Sequence, residues 1–203
     1  MKVKISLSVS KLGYQIPNIS LAPQLSCRAD APCAKGCYGK KGHFLYKNVQ
    51  ASHINNYNVY KEDKDLYFNE IINYLTNGLI SYKFFRWHTV GDIVDYDYLL
   101  GMIKVAKKCK NVKFLAFTKK YELVNEYLKD NQLPKNLRII YSAWHKGWQV
   151  PNPYNMPVAY VFFKKENLNP EIPELAIPCQ GHCEKCQACW NLKSGQSVFF
   201  HQH

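Results

Sequence analysis

The sequence predicts an α/β fold, with a mostly parallel sheet built from β-α-β units and curved into a partial (β/α) barrel that is open on one side. Between residues 82 and 163, short apolar runs of strand character alternate with amphipathic runs of helical length. Strands separated by helices of roughly 10–15 residues pair in parallel through right-handed crossovers. Hydrophobic residues make up 47% of the 203 residues, enough to bury a core, which excludes a disordered chain. We therefore expect one α/β domain over residues 1–203.

The N-terminal third is predicted to contain one strand, one loop and two helices. An alternation of apolar and polar residues predicts a half-buried strand, whose apolar positions are Val3, Ile5, Leu7 and Val9. Glycine and proline punctuate residues 13–23 and predict a loop. Apolar residues at helical spacing predict two helices over residues 44–77, broken near residues 60–61 and ended by an Asn-Gly pair.

The middle of the chain alternates strand and helix. Strands are predicted at residues 82–87, 112–117, 137–141 and 158–163, and helices at residues 96–108 and 121–129. Proline-rich segments at residues 151–157 and 169–178 predict loops. Cys109 follows the first of these helices and lies apart from the other cysteines, so we expect it to be a small buried hydrophobe.

Polar residues follow three of the predicted strands. Ligands of parallel α/β folds bind at the carboxyl ends of the strands, so these residues are candidates for a binding site. They are His88, Thr89, Gly91 and Asp92, then Thr118, Lys119 and Lys120, then Ser142, Trp144 and His145. The two histidines also fit a structural, hydrogen-bonded role, and Asp92 also fits the N-cap of a helix beginning near residue 94.

The chain carries a formal net charge of +12, from 27 basic and 15 acidic residues, and only three of the basic residues are arginine. Arginine makes the best bidentate contacts to phosphate and guanine, so its scarcity weakens the case for a sequence-specific nucleic-acid reader. Two interpretations of the lysines therefore remain: a solvated surface and a surface that binds a polyanion. The sequence contains no phosphate-binding loop, dinucleotide fingerprint, nucleophile elbow or zincin motif.

The sequence predicts a protein of the cytoplasm with no membrane partner. No apolar run approaches the roughly 18 residues that a membrane span needs. Residues 1–15 begin with basic character but alternate, and Lys11 interrupts them before a signal-peptide core could form. In a reducing cytoplasm, clustered thiols are more often metal ligands than disulfides.

Four of the eight cysteines lie in residues 178–190, which we expect to form a metal-binding segment packed on the domain. Their spacing is C-x3-C-x2-C-x2-C, formed by Cys179, Cys183, Cys186 and Cys189. The run C-x2-C-x2-C is the ferredoxin-type spacing, in which one loop wraps a [4Fe–4S] cluster. Structural zinc more often uses two separated pairs, although His182 could replace one sulfur. An iron–sulfur cluster is the leading interpretation, followed by zinc and then by thiols with no metal.

Three further cysteines, Cys27, Cys33 and Cys37, follow the spacing C-x5-C-x3-C. Each iron of a [4Fe–4S] cluster takes one thiolate, so three sulfurs leave one iron open to bind another molecule. That arrangement would suit a reactive site. A zinc ion would instead be catalytic, or would borrow a distant histidine such as His43 or His53 and staple the loop.

Several segments together resemble the phage "gene product eighty-eight" family over roughly residues 16–190. They are SCRADAPCAKGCYGKKG, FFRWHTVGDIVDYDYL, VKFLAFTKKY and the cysteine-rich tail that ends in Cys-Trp. That family is similar to radical S-adenosylmethionine enzymes. The resemblance implies that the three N-terminal cysteines hold a [4Fe–4S] cluster whose open iron binds the amino and carboxylate groups of S-adenosylmethionine.

The resemblance also assigns roles to residues beside this cluster. It implies that Gly91 and Asp92 receive the methionine amino group, that Tyr38 packs against the adenine, and that His88 belongs to the same cofactor site. The four C-terminal cysteines would hold an auxiliary cluster. The usual radical-enzyme loop has the spacing C-x3-C-x2-C with an aromatic residue before the last cysteine, whereas here the spacing is longer and the aromatic residue follows it.

The functional expectation is therefore an iron–sulfur protein with radical S-adenosylmethionine-like chemistry in a phage-infected cell. Its substrate would be a nucleic acid or a nucleotide, and an electron donor would be a partner. The alternative is a non-catalytic module, stapled by zinc or by an iron–sulfur cluster, that binds nucleic acid or a host protein.

Overall fold

The computed structural model describes residues 2–7 and 11–202, and it places a seven-stranded, all-parallel sheet at the centre of the chain. The strand order is β1-β2-β3-β4-β5-β7-β6, and the sheet does not close on itself. The strands are β1 Asn18–Ile19, β2 Phe84–Trp87, β3 Lys113–Thr118, β4 Leu137–Ser142, β5 Val158–Phe162, β6 Ile177–Pro178 and β7 Ser197–His201. The prediction of an α/β fold with a parallel, open sheet is confirmed.

Within residues 2–7 and 11–202, seven α-helices connect or flank the strands. They are α1 Pro23–Ser26, α2 Lys47–Glu62, α3 Lys64–Thr76, α4 Tyr96–Lys108, α5 Tyr121–Leu128, α6 Cys183–Cys186 and α7 Ala188–Asn191. Short 3-10 turns occupy Tyr38–Lys40, Gly42–Leu45 and Glu166–Leu168. Cys109 caps the end of α4 and is buried, as predicted.

Two aspartates decide where the long helices begin. Asp63 accepts a hydrogen bond from the backbone N–H of Leu66 at 2.8 Å, so the break between α2 and α3 lies at residue 63 rather than near residues 60–61. Asp95 accepts from the N–H of Tyr98 at 2.9 Å and caps α4. Asp92 is therefore not the N-cap, because a side-chain oxygen reaches only the first turn of the helix that follows it.

Alternate residues of the strands face two separate cores. On β3, Phe114 and Ala116 pack toward α2–α5 in the larger core, which is rich in aromatic rings. The intervening Leu115 packs in a smaller core on the opposite face. Both faces of the sheet are covered, as expected for parallel strands joined by crossover connections.

The strand order explains why the smaller core exists. β1 to β5 follow one another across the sheet, whereas β7 steps back and inserts between β5 and β6. A right-handed connection that runs in the reverse direction must cross the opposite face. The segment between β6 and β7, which carries the four C-terminal cysteines, covers the face opposite the helices, and its Trp190 and Leu192 pack there with Leu115 and Ile140.

Three local predictions differ from the structure. The predicted N-terminal strand is reduced to an isolated antiparallel bridge between Ser6 and Asn18, and Val9 lies outside the described residues. The first strand, β1, instead forms in the segment predicted as a loop. β6 likewise occupies the end of a predicted proline-rich loop, and β7 was not predicted. Strands of two residues carry too short a pattern to be recognised without their pairing partner.

No helix among residues 2–7 and 11–202 is both long enough and apolar enough to cross a membrane.

Candidate metal centres on the sheet

The three N-terminal cysteines lie in the connection that leaves the carboxyl end of β1. Cys27 directly follows α1, and all three thiols are half-buried and free of disulfides. Burial, together with the nearby carboxylate of Asp92 and the sulfurs of Cys33 and Cys37, raises the pKa of Cys27 to about 12. These mutual effects place the three thiols and Asp92 in one neighbourhood at the carboxyl edge of the sheet.

A tight turn after β2 holds the cysteine loop in place. Gly91 has φ +92°, and a Cβ there would lie 2.8 Å from both the carbonyl oxygen of Leu21 and the hydroxyl of Ser26. Ser26 immediately precedes Cys27, donates to the carbonyl of Ala22 at 2.9 Å and accepts from the N–H of Asp92 at 3.3 Å. The position of Cys27 is thus set by contact with the Gly91–Asp92 turn.

Asp92 joins the ends of β2 and β3. Its Oδ1 accepts from the hydroxyl of Thr118 at 2.6 Å and from the N–H of Ile93 at 2.7 Å, and its Oδ2 accepts from the N–H of Lys119 at 2.9 Å. Burial raises the pKa of the Asp92 carboxyl, and these three hydrogen bonds act in the opposite direction. Oδ2 has one donor and retains capacity for another.

Two of the polar residues predicted at the strand ends, Lys119 and Ser142, are in contact. The ammonium of Lys119 donates to the hydroxyl of Ser142 at 2.8 Å and lies 5.3 Å from the ring centre of Trp144. Lys120 donates to the carbonyl of Val94 at 2.6 Å. His145 lies farther along, with Nδ1 2.8 Å from the carbonyl oxygen of its neighbour Lys146.

The remaining predicted cofactor residues, His88 and Tyr38, differ in their exposure to solvent. His88 has φ +51°, is buried, and its Nε2 lies 3.0 Å from the hydroxyl of Tyr98. Burial, together with the charges of Arg86 and Lys120, lowers the pKa of His88 to about 3, so the imidazole is neutral. Tyr38 donates its hydroxyl to the carbonyl of Thr89, whereas its side chain is about half exposed.

The four C-terminal cysteines line one pocket on the opposite face from the long helices. The pocket is small, with a cavity volume of about 20 Å³, and His182 also lines it. The cysteine segment is anchored at both ends, since the N–H of Cys179 donates to the carbonyl of Phe199 at 2.9 Å and Trp190 donates to the carbonyl of Phe85 at 3.3 Å. Gln187 has φ +54° and turns the chain between α6 and α7.

Arg86 lies on the face of the sheet that the C-terminal cysteines cover. It projects from β2, and its guanidinium donates to the carbonyl of Trp87 at 2.9 Å and lies 4.2 Å from the ring centre of Phe117. Burial lowers its pKa, while Tyr38 and three C-terminal cysteines raise it. Sequence analysis assigned no role to Arg86, although a charged residue within the apolar strand FFRW was a usable signal.

The sulfurs supply the right donors for a metal, but they do not form a closed single-ion site. Among the described residues, no three or more His, Cys, Asp or Glu side chains converge closely enough to hold one metal ion. Thiolates are the ligands of both zinc and iron–sulfur clusters. An iron–sulfur cluster binds its cysteines through separate irons and so requires a wider set of sulfurs than one ion does.

Comparison with known proteins gives one match. The family model described as Gene product 88 matches residues 2–196. The chain belongs to the Gene product 88 family, a family of phage proteins. No curated protein and no solved structure matches the chain. The resemblance to gene product eighty-eight is therefore confirmed, whereas the relation to radical S-adenosylmethionine enzymes has no match behind it.

Proposed function

We propose that this member of the Gene product 88 family is an iron–sulfur protein with two clusters, one of which activates S-adenosylmethionine at the carboxyl edge of the sheet. The observation that carries the proposal is the position of the three N-terminal cysteines. They follow β1 and lie beside Asp92, which is bonded to Lys119 after β3, and Lys119 in turn contacts Ser142 at the end of β4. This edge is where parallel α/β folds bind their ligands.

The three-cysteine group suits a cluster with an open iron. Cys27, Cys33 and Cys37 would hold three irons, and the fourth would bind a ligand with its own amine and carboxylate. The chemistry that such a cluster would supply, after one-electron reduction by a donor, is cleavage of S-adenosylmethionine to methionine and a carbon radical, which would take hydrogen from a substrate. The four C-terminal cysteines would hold the second cluster, in the pocket that they line.

The surrounding residues provide groups of matching chemistry. Asp92 Oδ2 has one hydrogen-bond donor and can accept a second, which suits an amino group. Lys119 is paired with a neutral hydroxyl and an aromatic ring, so its charge is available to a carboxylate or phosphate. The half-exposed side chain of Tyr38 offers a surface for an adenine. His88 is buried and neutral, so we assign it to positioning the end of β2 through Tyr98.

The first experiment measures the metal content of protein purified without oxygen. Two cubane clusters predict roughly eight irons per chain and a similar amount of sulfide. Cys27→Ala should lose about half of the iron, and so should Cys186→Ala, whereas the lone buried Cys109→Ala is the matched control and should lose none. Stoichiometric zinc with negligible sulfide would overturn the iron–sulfur proposal.

The second experiment tests the chemistry at the open iron. The reconstituted wild type should bind S-adenosylmethionine and release 5′-deoxyadenosine when a strong reductant is present. Cys27→Ala should abolish this release while the C-terminal cluster keeps its spectrum. Asp92→Asn should keep both clusters and weaken S-adenosylmethionine binding. A wild type that holds two clusters but does not bind S-adenosylmethionine would reject this chemistry and leave only the iron–sulfur assignment.

A second candidate function rests on the surface charge. The excess of 27 basic over 15 acidic residues would attract a polyanion even if the metal sites were only structural. In that case zinc would staple both cysteine groups, and the chain would bind nucleic acid or an acidic protein without catalysis. The zinc, iron and sulfide content of one sample separates this candidate from the first.

A further inference from the structure

Arg86 is a desolvated cation whose hydrogen-bonding partners are neutral. Its guanidinium donates to the carbonyl oxygens of Trp87, at 2.9 Å, and His88, at 3.3 Å, and packs over Phe117. In the part of the chain that the structure describes, no carboxylate forms an ion pair with it. A buried charge without a counter-charge is costly, so a compensating negative group is expected nearby.

The C-terminal cysteines pack on the same small core as Arg86. The guanidinium lies 4.2 Å from the ring centre of Phe117, and Phe117, Cys179, Cys183 and Cys189 all pack against that core. Tyr38 and these three thiols favour the charged form of Arg86 and so raise its pKa. Arg86 shares this face with Phe84, whose ring centre lies 5.4 Å from that of Trp190 in the cysteine segment. The guanidinium therefore lies on the face of the sheet that the cysteine segment covers.

We infer that Arg86 is the built-in counter-cation of the metal–thiolate site formed by the four C-terminal cysteines. Four thiolates around a cluster core of charge +2 leave a net charge of about −2. The desolvated guanidinium offsets part of that charge, and the site offsets the cost of burying the guanidinium. The inference rests on the proposed function only in requiring that a metal occupies this site.

Arg86 should also affect the redox behaviour of an iron–sulfur cluster. One-electron reduction by an external low-potential donor adds one negative charge to the cluster. A neighbouring cation stabilises that reduced form more than the oxidised form, which raises the reduction potential.

The chain offers a matched control in Arg138. Arg86 on β2 and Arg138 on β4 are both in register with Leu115 on β3, so the two arginines occupy one row of the sheet. Burial alone lowers the pKa of Arg138, with no contribution from a thiol. Arg138 therefore has the same residue type and sheet row as Arg86 without the cysteine neighbours.

The experiment compares three variants after anaerobic loading with iron and sulfide. Arg86→Gln removes the charge but keeps an N–H donor for the carbonyls, Arg86→Lys keeps the charge, and Arg138→Gln is the control. We measure the chelator concentration that removes half of the C-terminal metal, and the midpoint potential of that cluster. Arg86→Gln should release metal at roughly tenfold lower chelator and have a more negative potential. Arg86→Lys and Arg138→Gln should match the wild type.

Each other outcome also decides the question. The inference would be overturned if Arg86→Gln retained metal and potential like the wild type. It would also be overturned if Arg86→Gln and Arg86→Lys lost metal equally. Neither result would argue against the metal site itself. A wild type without metal in the C-terminal group would overturn the inference together with that part of the proposed function. If Arg86→Gln does not fold, Arg86→Met and Arg86→Lys are loaded with iron and sulfide and compared. Folding of Arg86→Lys alone supports the inference that the positive charge is required. Failure of both variants to fold rejects it.

Discussion

At the scale of single residues, the site depends on close approach of backbone segments. Ser26, Gly91 and Asp92 form a contact that joins the loop of Cys27 to the end of β2, and Thr118 extends it to β3. The residues that meet in these contacts are far apart in the sequence. A substitution at Gly91 should therefore lower the stability of the fold, and through it displace the cysteine loop.

Gly91→Ala should destabilise the protein by about 2–4 kcal/mol, because it combines a positive φ with a Cβ placed 2.8 Å from Leu21 and Ser26. Gly147→Ala is the control, since Gly147 has φ +82° but no atom lies within 4 Å of its added Cβ. The control should lose only about 1–2 kcal/mol. Urea unfolding measures both, and equal losses would show that close packing at Gly91 is unimportant.

His88 should make the protein less stable as the pH falls. Burial lowers the pKa of His88 to about 3, whereas an unfolded chain titrates histidine near pH 6.5. The unfolded state therefore binds the extra proton first, so stability is present above pH 6.5 and is lost as the pH falls. Between pH 7 and pH 5 this linkage lowers the free energy of unfolding by about 2 kcal/mol.

The variant that tests this linkage is His88→Asn, because asparagine is neutral at every pH in the range and tolerates the observed φ of +51°. It should be less stable than the wild type at pH 7, since the contact with Tyr98 changes, but it should lose less stability on going to pH 5. Identical pH dependences of the two proteins in urea unfolding would contradict the assignment.

At the scale of elements, the crossover between β6 and β7 is the least self-sufficient part of the fold. α6 and α7 each span four residues, too short to be stable helices by themselves. The crossover is held to the sheet by Trp190, which is buried, makes an edge-to-face contact with Phe84 and donates to the carbonyl of Phe85. A metal bound by the cysteines would add to this anchoring.

Trp190→Ala should detach this crossover, because removing a buried tryptophan typically costs about 3–5 kcal/mol. Limited proteolysis should then cut between Cys179 and Ser197 while the rest of the sheet stays intact, and the variant should retain less metal. Trp190→Phe keeps an aromatic ring but loses the N–H, so it should lose only about 1 kcal/mol. Unchanged cleavage of Trp190→Ala would show that other contacts hold the segment.

At the scale of the whole molecule, the net charge predicts weak and non-specific contact with nucleic acid. Two clusters with charges of about −1 and −2 would reduce the formal +12 to roughly +9. We expect a labelled DNA or RNA duplex to bind weakly, with an affinity that falls steeply with salt concentration. Fluorescence anisotropy at low and high salt measures this, and tight, sequence-specific binding that survives high salt would contradict it.

Predictions from the sequence agree with the structure where the interactions are local, and differ where they join distant segments. Helix α4 was predicted with the bounds that the structure has, because its apolar spacing lies within one segment. The break between α2 and α3 lies at Asp63 rather than near residues 60–61. The capping bond of Asp63 is local, but the helical pattern is nearly continuous there, so the sequence does not mark the break clearly. β1 and β6, with two residues each, exist only through their pairing with β2 and β7.

The sequence by itself determined the composition of the site: seven cysteines in two groups, and polar residues at the ends of successive strands. These features depend only on the order of residues and on the rhythm of strand and helix. The tertiary structure decided the rest. The reversed step of β7 carries the C-terminal cysteines to the face opposite the long helices, and pairing of β2 with β3 places Arg86 on that same face. Such placements arise from non-local strand pairing and crossover handedness, which no short segment of sequence encodes.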